Sequence, residues 1–185
     1  NTDFDSKMYP DLNYTRAHCS YSIGAEPFFL CEYAHAMGNA VGNLQDYWNI
    51  IEDSNYGIGG CIWDWVDQSI YDPQDIINDN LVKNGFPTYH TGYDYPGPHQ
   101  GNFCNNGIIT ADRQPTGKLA EVKRIYQYIK FKSFDKNAKS ITLANKYESI
   151  SLEAMKLTWK VLHEGSEVEC GTITLPAILS GAEET

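Results

Sequence analysis

Pro27-Phe28-Phe29-Leu30-Cys31 and, some thirty residues on, Gly59-Gly60-Cys61-Ile62-Trp63-Asp64-Trp65-Val66 are the two runs that decide the fold class. The first is short, uninterrupted and apolar, the pattern of a strand buried on both faces. The second is strand-like over Cys61 to Val66. Between them, residues 32–39 read as a loop, and Leu44, Tyr47, Trp48 and Ile51 recur at helical spacing. A helix is predicted over about residues 43–53, stopped by Asn55-Tyr56-Gly57. Strand, helix and strand joined by short connections form a βαβ unit, whose two strands run parallel.

Working outward, residues 67–100 show no strong periodicity and hold Pro73, Pro87, Pro96 and Pro98 among several glycines. They are predicted to form a long loop, a kind of segment that is often functional inside compact domains. Beyond it, Leu119, Val122, Ile125, Tyr126 and Ile129 fall on one helical face, with Pro115 and Thr116 as start signals. The pattern changes after about Phe131. Ile141-Thr142-Leu143 is β-prone, Leu157, Trp159 and Val161 alternate with polar neighbours, and Thr172-Ile173-Thr174-Leu175 repeats the style. Short strands between turn residues suggest the start of a β-sandwich. A boundary is therefore expected near residue 130, dividing residues 1–130 from 131–185.

The 185 residues carry 14 basic against 24 acidic side chains, a net charge of −10. Without clustered Lys and Arg to neutralise phosphates, neither a nucleic acid nor an anionic membrane is an expected partner. No apolar run approaches the ~18 residues of a membrane span. The first residues are polar and not Met, so no signal peptide is visible and a processed or excised chain is expected. Cys19, Cys31, Cys61, Cys104 and Cys170 contain no C-x-x-C pair, so no zinc or redox motif is indicated.

The βαβ reading puts Glu32 just past the end of one strand and Trp63, Asp64 and Trp65 at or near the end of the next. In parallel α/β folds, that edge carries ligands and catalytic groups. A carboxylate, an imidazole at His35 and indoles there make a credible site, the alternative being a solvated strand-end charge beside core tryptophans. Carboxylates with aromatics, and no H-E-x-x-H or G-x-S-x-G, point to glycoside chemistry. A carboxylate can attack or stabilise an oxocarbenium-like centre, and tryptophan faces stack on sugar rings.

Four ordered blocks then carry a family resemblance: Met8-Tyr9-Pro10; Leu30-Cys31-Glu32-Tyr33-Ala34-His35-Ala36-Met37-Gly38-Asn39; residues 59–69; and residues 102–113 with Asn102-Phe103-Cys104-Asn105-Asn106-Gly107. Together they resemble the β-galactosidases of glycoside hydrolase family two. The resemblance implies an α/β fold: the C-terminal part of a (β/α)8 TIM barrel, from about its sixth strand, followed by immunoglobulin-like β-sandwich strands. It implies retaining hydrolysis of terminal β-D-galactosyl residues, with Glu32 as the nucleophile. Tyr9 would hydrogen-bond near Glu32, Met8 would lie beside the galactose, His35 would orient sugar hydroxyls, and Trp63 would line the sugar site. The Phe103 carbonyl and the Asn106 side chain resemble ligands of a sodium ion that touches the sugar. The acid/base Glu and the magnesium ligands of the family lie upstream, outside this chain. Implied partners are a β-galactoside, the rest of the parent polypeptide and further copies in a homo-oligomer. Members occur in cytoplasm and periplasm alike. Residues 92–100 match the family's Gly/Asp-rich loop only loosely, with Pro96 and Gln100 at usually acidic positions. The competing reading is a carbohydrate-binding or scaffold relic that keeps sugar-contacting aromatics without catalysis.

Overall fold

The computed structural model describes residues 3–20 and 26–185; Asn1 and Thr2 of the polar start lie outside them. The chain divides into two compact units, Asn1–Ile125 and Tyr126–Thr185.

The first unit is built on three parallel strands in the order β1 (Asp5–Met8), β2 (Phe28–Tyr33) and β3 (Gly57–Ile62). Helix α1 (Leu12–Ser20) follows β1, and α2 (Leu44–Glu52) joins β2 to β3. Phe28, Leu30 and Tyr33 of β2 are buried, together with Leu44, Ile50 and Ile51 of α2 and Cys19 of α1. This is the apolar layer between sheet and helices that the βαβ reading requires. Helix α1 has no apolar stripe to betray it; Asp11 opens it by accepting the Tyr14 amide at 2.8 Å, a side-chain cap.

Strand β3 begins and ends earlier than expected, covering Gly57–Ile62 instead of Cys61 to Val66. The glycines are inside the strand because the backbones approach closely. A Cβ on Gly60 would lie 2.7 Å from Leu30 Cβ, and one on Gly57 would lie 2.9 Å from Cys19 Sγ. Strand β2 also runs further than expected, through Glu32 and Tyr33.

Residues 67–100 contain more order than a plain loop: β4 (Ile70–Tyr71), α3 (Pro73–Ile77), β5 (Val82–Lys83), β6 (Phe86–Pro87), β7 (Tyr89–His90) and a 3-10 turn over Gly92–Asp94. Strands β4 and β7 pair with each other, as do β5 and β6. Two-residue strands carry no readable alternation. Helix α4 (Gly117–Tyr126) then closes the unit, burying Val122 and Ile125. It stops short of Ile129, which instead opens β8 (Ile129–Asp135) and pairs with Asn145.

The second unit holds β8, β9 (Ser140–Asn145) and β12 (Glu183–Glu184) in one antiparallel sheet and β10 (Lys156–His163) with β11 (Ser166–Thr174) in another. Leu143, Leu152 and Ile178 form its core, with Ile141, Leu157 and Leu175 packed around them. Buried Asn145 is fully used: its amide donates to the Ile150 and Ile178 carbonyls and its Oδ1 accepts from the Tyr147 amide. A satisfied polar group of this kind fixes one arrangement of the core.

Candidate active site

The site grows from the register of the parallel sheet. Met8 stands opposite Glu32 across β1 and β2. The next residue, Tyr9, donates its amide to the Glu32 carbonyl at 2.8 Å, and its phenol hydrogen-bonds the Glu32 side chain. Burial comes first among the causes that push the Tyr9 phenol up to about 12, followed by the hydrogen bond to Glu32 and the negative charges of Glu32 and Asp64. The phenol is therefore a neutral donor at any physiological pH. Tyr9 does this with a left-handed backbone, φ 48°, a conformation that a bulky residue adopts only when its surroundings hold it there.

The turn after β2 brings His35 to the same place. Its ring lies 6.0 Å from that of Tyr9 and stacks at 5.3 Å on that of Phe103. Nδ1 of His35 accepts from the Met37 amide at 3.4 Å, while Nε2 is buried without a partner among the described residues. With Nδ1 accepting, the neutral ring carries its proton on Nε2, a donor free for a ligand. The backbone at His35 is held from both sides. The Ala36 amide donates to the Trp63 carbonyl at 2.7 Å, and Lys118 Nζ of α4 donates to the Ala36 carbonyl at 2.7 Å.

Beyond β3, residues 63–69 interlock with residues 104–109. Trp63 donates its amide to the Tyr33 carbonyl, Asp64 donates to the Asn106 carbonyl, and Ile108 donates to the Asp64 carbonyl. Asp67 Oδ1 accepts the Gly107 amide at 2.7 Å, while Asp64 accepts from the Trp65 amide and from Gln68 Nε2. Both aspartates are thus committed to holding the backbone. Gly107 is the tightest point of the interlock: a Cβ there would lie 2.1 Å from the Asp67 nitrogen. Asn106 is only 3% exposed, and its Oδ1 has no hydrogen-bond partner among the described residues. An orphaned, buried amide oxygen suits a hard cation, which takes oxygen ligands. Among the described residues no group of three or more His, Cys, Asp or Glu side chains is placed to hold a metal ion.

The structure therefore brings Met8, Tyr9, Glu32, His35, Trp63, Phe103 and Asn106 into one neighbourhood, at the C-terminal ends of the three strands and the segments that follow them. Met8 and Phe103 are substantially exposed and leave the place open, and Tyr9 is exposed too, with only its phenol partly withdrawn from water. No role is read from the sequence for Lys118, Gln68 or Gly107, although the last two lie within the blocks that carry the resemblance. A glycine required by close approach and a lysine reaching a carbonyl 82 residues away leave no local signal.

Comparison with known proteins adds the family. The chain is similar to the β-galactosidase of Priestia megaterium, with 36% identity over 160 residues, 86% of this chain and 15% of that protein. It is similar to that of Photobacterium profundum, with 38% identity over 162 residues, 86% of this chain and 15% of that protein. The Klebsiella pneumoniae β-galactosidase gives 33% over 163 residues, 85% of this chain and 15% of that protein. The chain thus spans about 15% of the length of the curated relatives it matches. Residues 2–131 match the family described as glycosyl hydrolases family 2, TIM barrel domain. Three parallel strands, their connecting helices and a carboxylate at the strand ends accord with that match, and the chain belongs to glycosyl hydrolase family 2, with residues 2–131 forming part of its TIM barrel domain.

Proposed function

We propose that this chain is part of a retaining β-galactosidase in which Glu32 is the nucleophile. The observation that carries the reading is the Tyr9–Glu32 pair: a neutral phenol donating to a carboxylate at the open end of a parallel sheet. Glu32 attacks the anomeric carbon, the glycosidic bond breaks, and a covalent glycosyl-enzyme forms, which water later hydrolyses. Tyr9 fixes the carboxylate's direction. His35 offers Nε2–H to a sugar hydroxyl, and Trp63 and Met8 border the sugar. The acid that protonates the leaving oxygen lies elsewhere in the polypeptide, because Asp64 and Asp67 are both tied to backbone. Asn106 Oδ1 and the Phe103 carbonyl would hold a sodium ion, which when bound supplies positive charge for sugar oxygens. Magnesium is assigned to residues outside this chain. Residues 131–185 are assigned to the opening of a β-sandwich domain, and the working protein to a homo-oligomer.

Glu32→Gln in the full-length protein is the test. The amide keeps the shape and loses the nucleophilic charge, so turnover of an aryl β-galactoside should fall by several orders of magnitude while galactose binding persists. A variant that keeps more than about a tenth of the wild-type kcat refutes the assignment.

A further inference from the structure

Tyr47 of α2 touches the chain just beyond each member of the Tyr9–Glu32 pair. Its hydroxyl donates to the carbonyl of Pro10, the residue after Tyr9, at 2.7 Å. Its ring packs edge-on against that of Tyr33, the residue after Glu32, with centroids 5.8 Å apart and planes at 74°. Pro10 and Tyr33 are both buried, and Tyr47 is half-buried. The helical spacing of Leu44, Tyr47, Trp48 and Ile51 accounts for the ring, which a phenylalanine would supply as well, but not for the hydroxyl. The place of that hydroxyl matters because Tyr9 has a left-handed backbone, φ 48°. Such a conformation persists only where the surroundings over-determine it. The Tyr9 amide, bound to the Glu32 carbonyl at 2.8 Å, fixes the peptide unit before Tyr9. The Tyr47 hydroxyl fixes the peptide unit after Pro10. Together they bracket Tyr9, whose phenol meets the Glu32 side chain. Burial, and after it the charge of Asp11, pushes the Tyr47 phenol up, so it keeps its proton and remains a donor at physiological pH.

We propose that Tyr47 is a positioning residue for the nucleophile: through the Pro10 carbonyl, its hydroxyl holds Tyr9 where Tyr9 orients Glu32. This rests on the assignment of Glu32 as the nucleophile. Tyr47 touches no sugar. Its effect belongs to the attack of Glu32 on the anomeric carbon and not to sugar binding, because Tyr9 acts on the carboxylate. The hydroxyl and the ring have separate tasks, so removing the oxygen alone leaves the packing on Tyr33 in place.

The experiment compares the full-length wild type, Tyr47→Phe, Tyr9→Phe and the double variant. The readout is the rate constant with which a 2-deoxy-2-fluoro-galactosyl reagent labels Glu32, followed by peptide mass, with inhibition by galactose measured beside it. Unfolded molecules lower the labelled fraction and not the rate constant. Tyr47→Phe should label roughly tenfold or more slowly, since a displacement of about 1 Å near reacting groups can cost about a hundredfold. Its inhibition by galactose should stay within about threefold of the wild type, because binding is not what was removed. Adding Tyr47→Phe to Tyr9→Phe should slow labelling no further, because residues that act as one unit are not additive. Gln45→Ala removes an exposed hydrogen bond to Asn49 on the same helix and should label at the wild-type rate. An unchanged rate in Tyr47→Phe, additive losses in the double variant or a slowed rate in Gln45→Ala overturns the proposal. A Tyr47→Phe protein that fails to fold and takes no label overturns it equally, since Tyr47 would then support the fold at large. A wild-type label on a residue other than Glu32 instead removes the nucleophile assignment, and the proposal with it.

Discussion

Tyr9 concentrates the account at the scale of single residues. Its backbone is left-handed, its amide is bound to the Glu32 carbonyl and its phenol to the Glu32 side chain. Burial and two nearby negative charges raise that phenol from its ordinary 10.0 to about 12. A group whose pKa is raised on folding contributes stability that is complete below the unfolded value, here about pH 10. The contribution is lost as pH climbs from there toward 12. A difference absorbance titration of the full-length protein, wild type minus Tyr9→Phe, should therefore show one phenol ionising well above pH 10. A midpoint at the ordinary value would mean that Tyr9 and Glu32 do not interact. The sequence could nominate Tyr9 only through the Met8-Tyr9-Pro10 block, since nothing in the residue types foretells a positive φ. For Glu32 the apolar run before it left two readings open, a catalytic carboxylate or a solvated strand-end charge, and only the block from Leu30 to Asn39 pointed to the first. The commitment of Asp67 was not legible in detail, because its partner, the Gly107 amide, lies 40 residues away and depends on tertiary register, whereas Asp64 is engaged locally by the Trp65 amide and the Gln68 side chain.

Among the elements, the interlock between residues 63–69 and 104–109 matters most, because it positions Trp63 and Asn106 together. At Gly107, a side chain would meet the Asp67 nitrogen, the Ile109 oxygen at 2.4 Å and the Val66 carbonyl carbon at 2.4 Å, all backbone atoms that cannot rotate aside. Gly107→Ala should destabilise the protein by ~1–3 kcal/mol, the usual cost of overpacking, and raise KM as Asn106 shifts. Gly117, at the start of α4, has nothing within 4 Å of its would-be Cβ. Gly117→Ala should change stability by no more than about 0.5 kcal/mol. Equal denaturation midpoints for the two variants would show that the interlock is soft. The helix over Leu44–Glu52 was readable from its apolar spacing, and β2 from its apolar run. Strand β3 was misplaced because close packing on Leu30 and Tyr33 demands glycine where β-propensity would ask for larger residues. Ile129 was drawn into α4 because it continues the helical spacing, whereas pairing with Asn145 takes it into β8.

Taken whole, the first unit offers three parallel strands among the described residues, against the eight of a closed barrel. Strand β1 is exposed along its length, as are Ile58 and Cys61 of β3. Retaining hydrolysis needs a second carboxylate ~5 Å from the first, and the aspartates near Glu32 are otherwise engaged. The isolated 185-residue chain should accordingly hydrolyse a nitrophenyl β-galactoside at least about a hundredfold more slowly than the full-length protein. Activity closer to the parent's would mean that a second carboxylate works within this chain. The central claim, that Glu32 forms the covalent intermediate, is tested most directly by exposing the full-length protein to a 2-deoxy-2-fluoro-galactosyl reagent and mapping the labelled peptide. The account predicts a single fluoro-sugar on Glu32. A label on Asp64 or Asp67, or a protein inactivated with Glu32 unmodified, would contradict it.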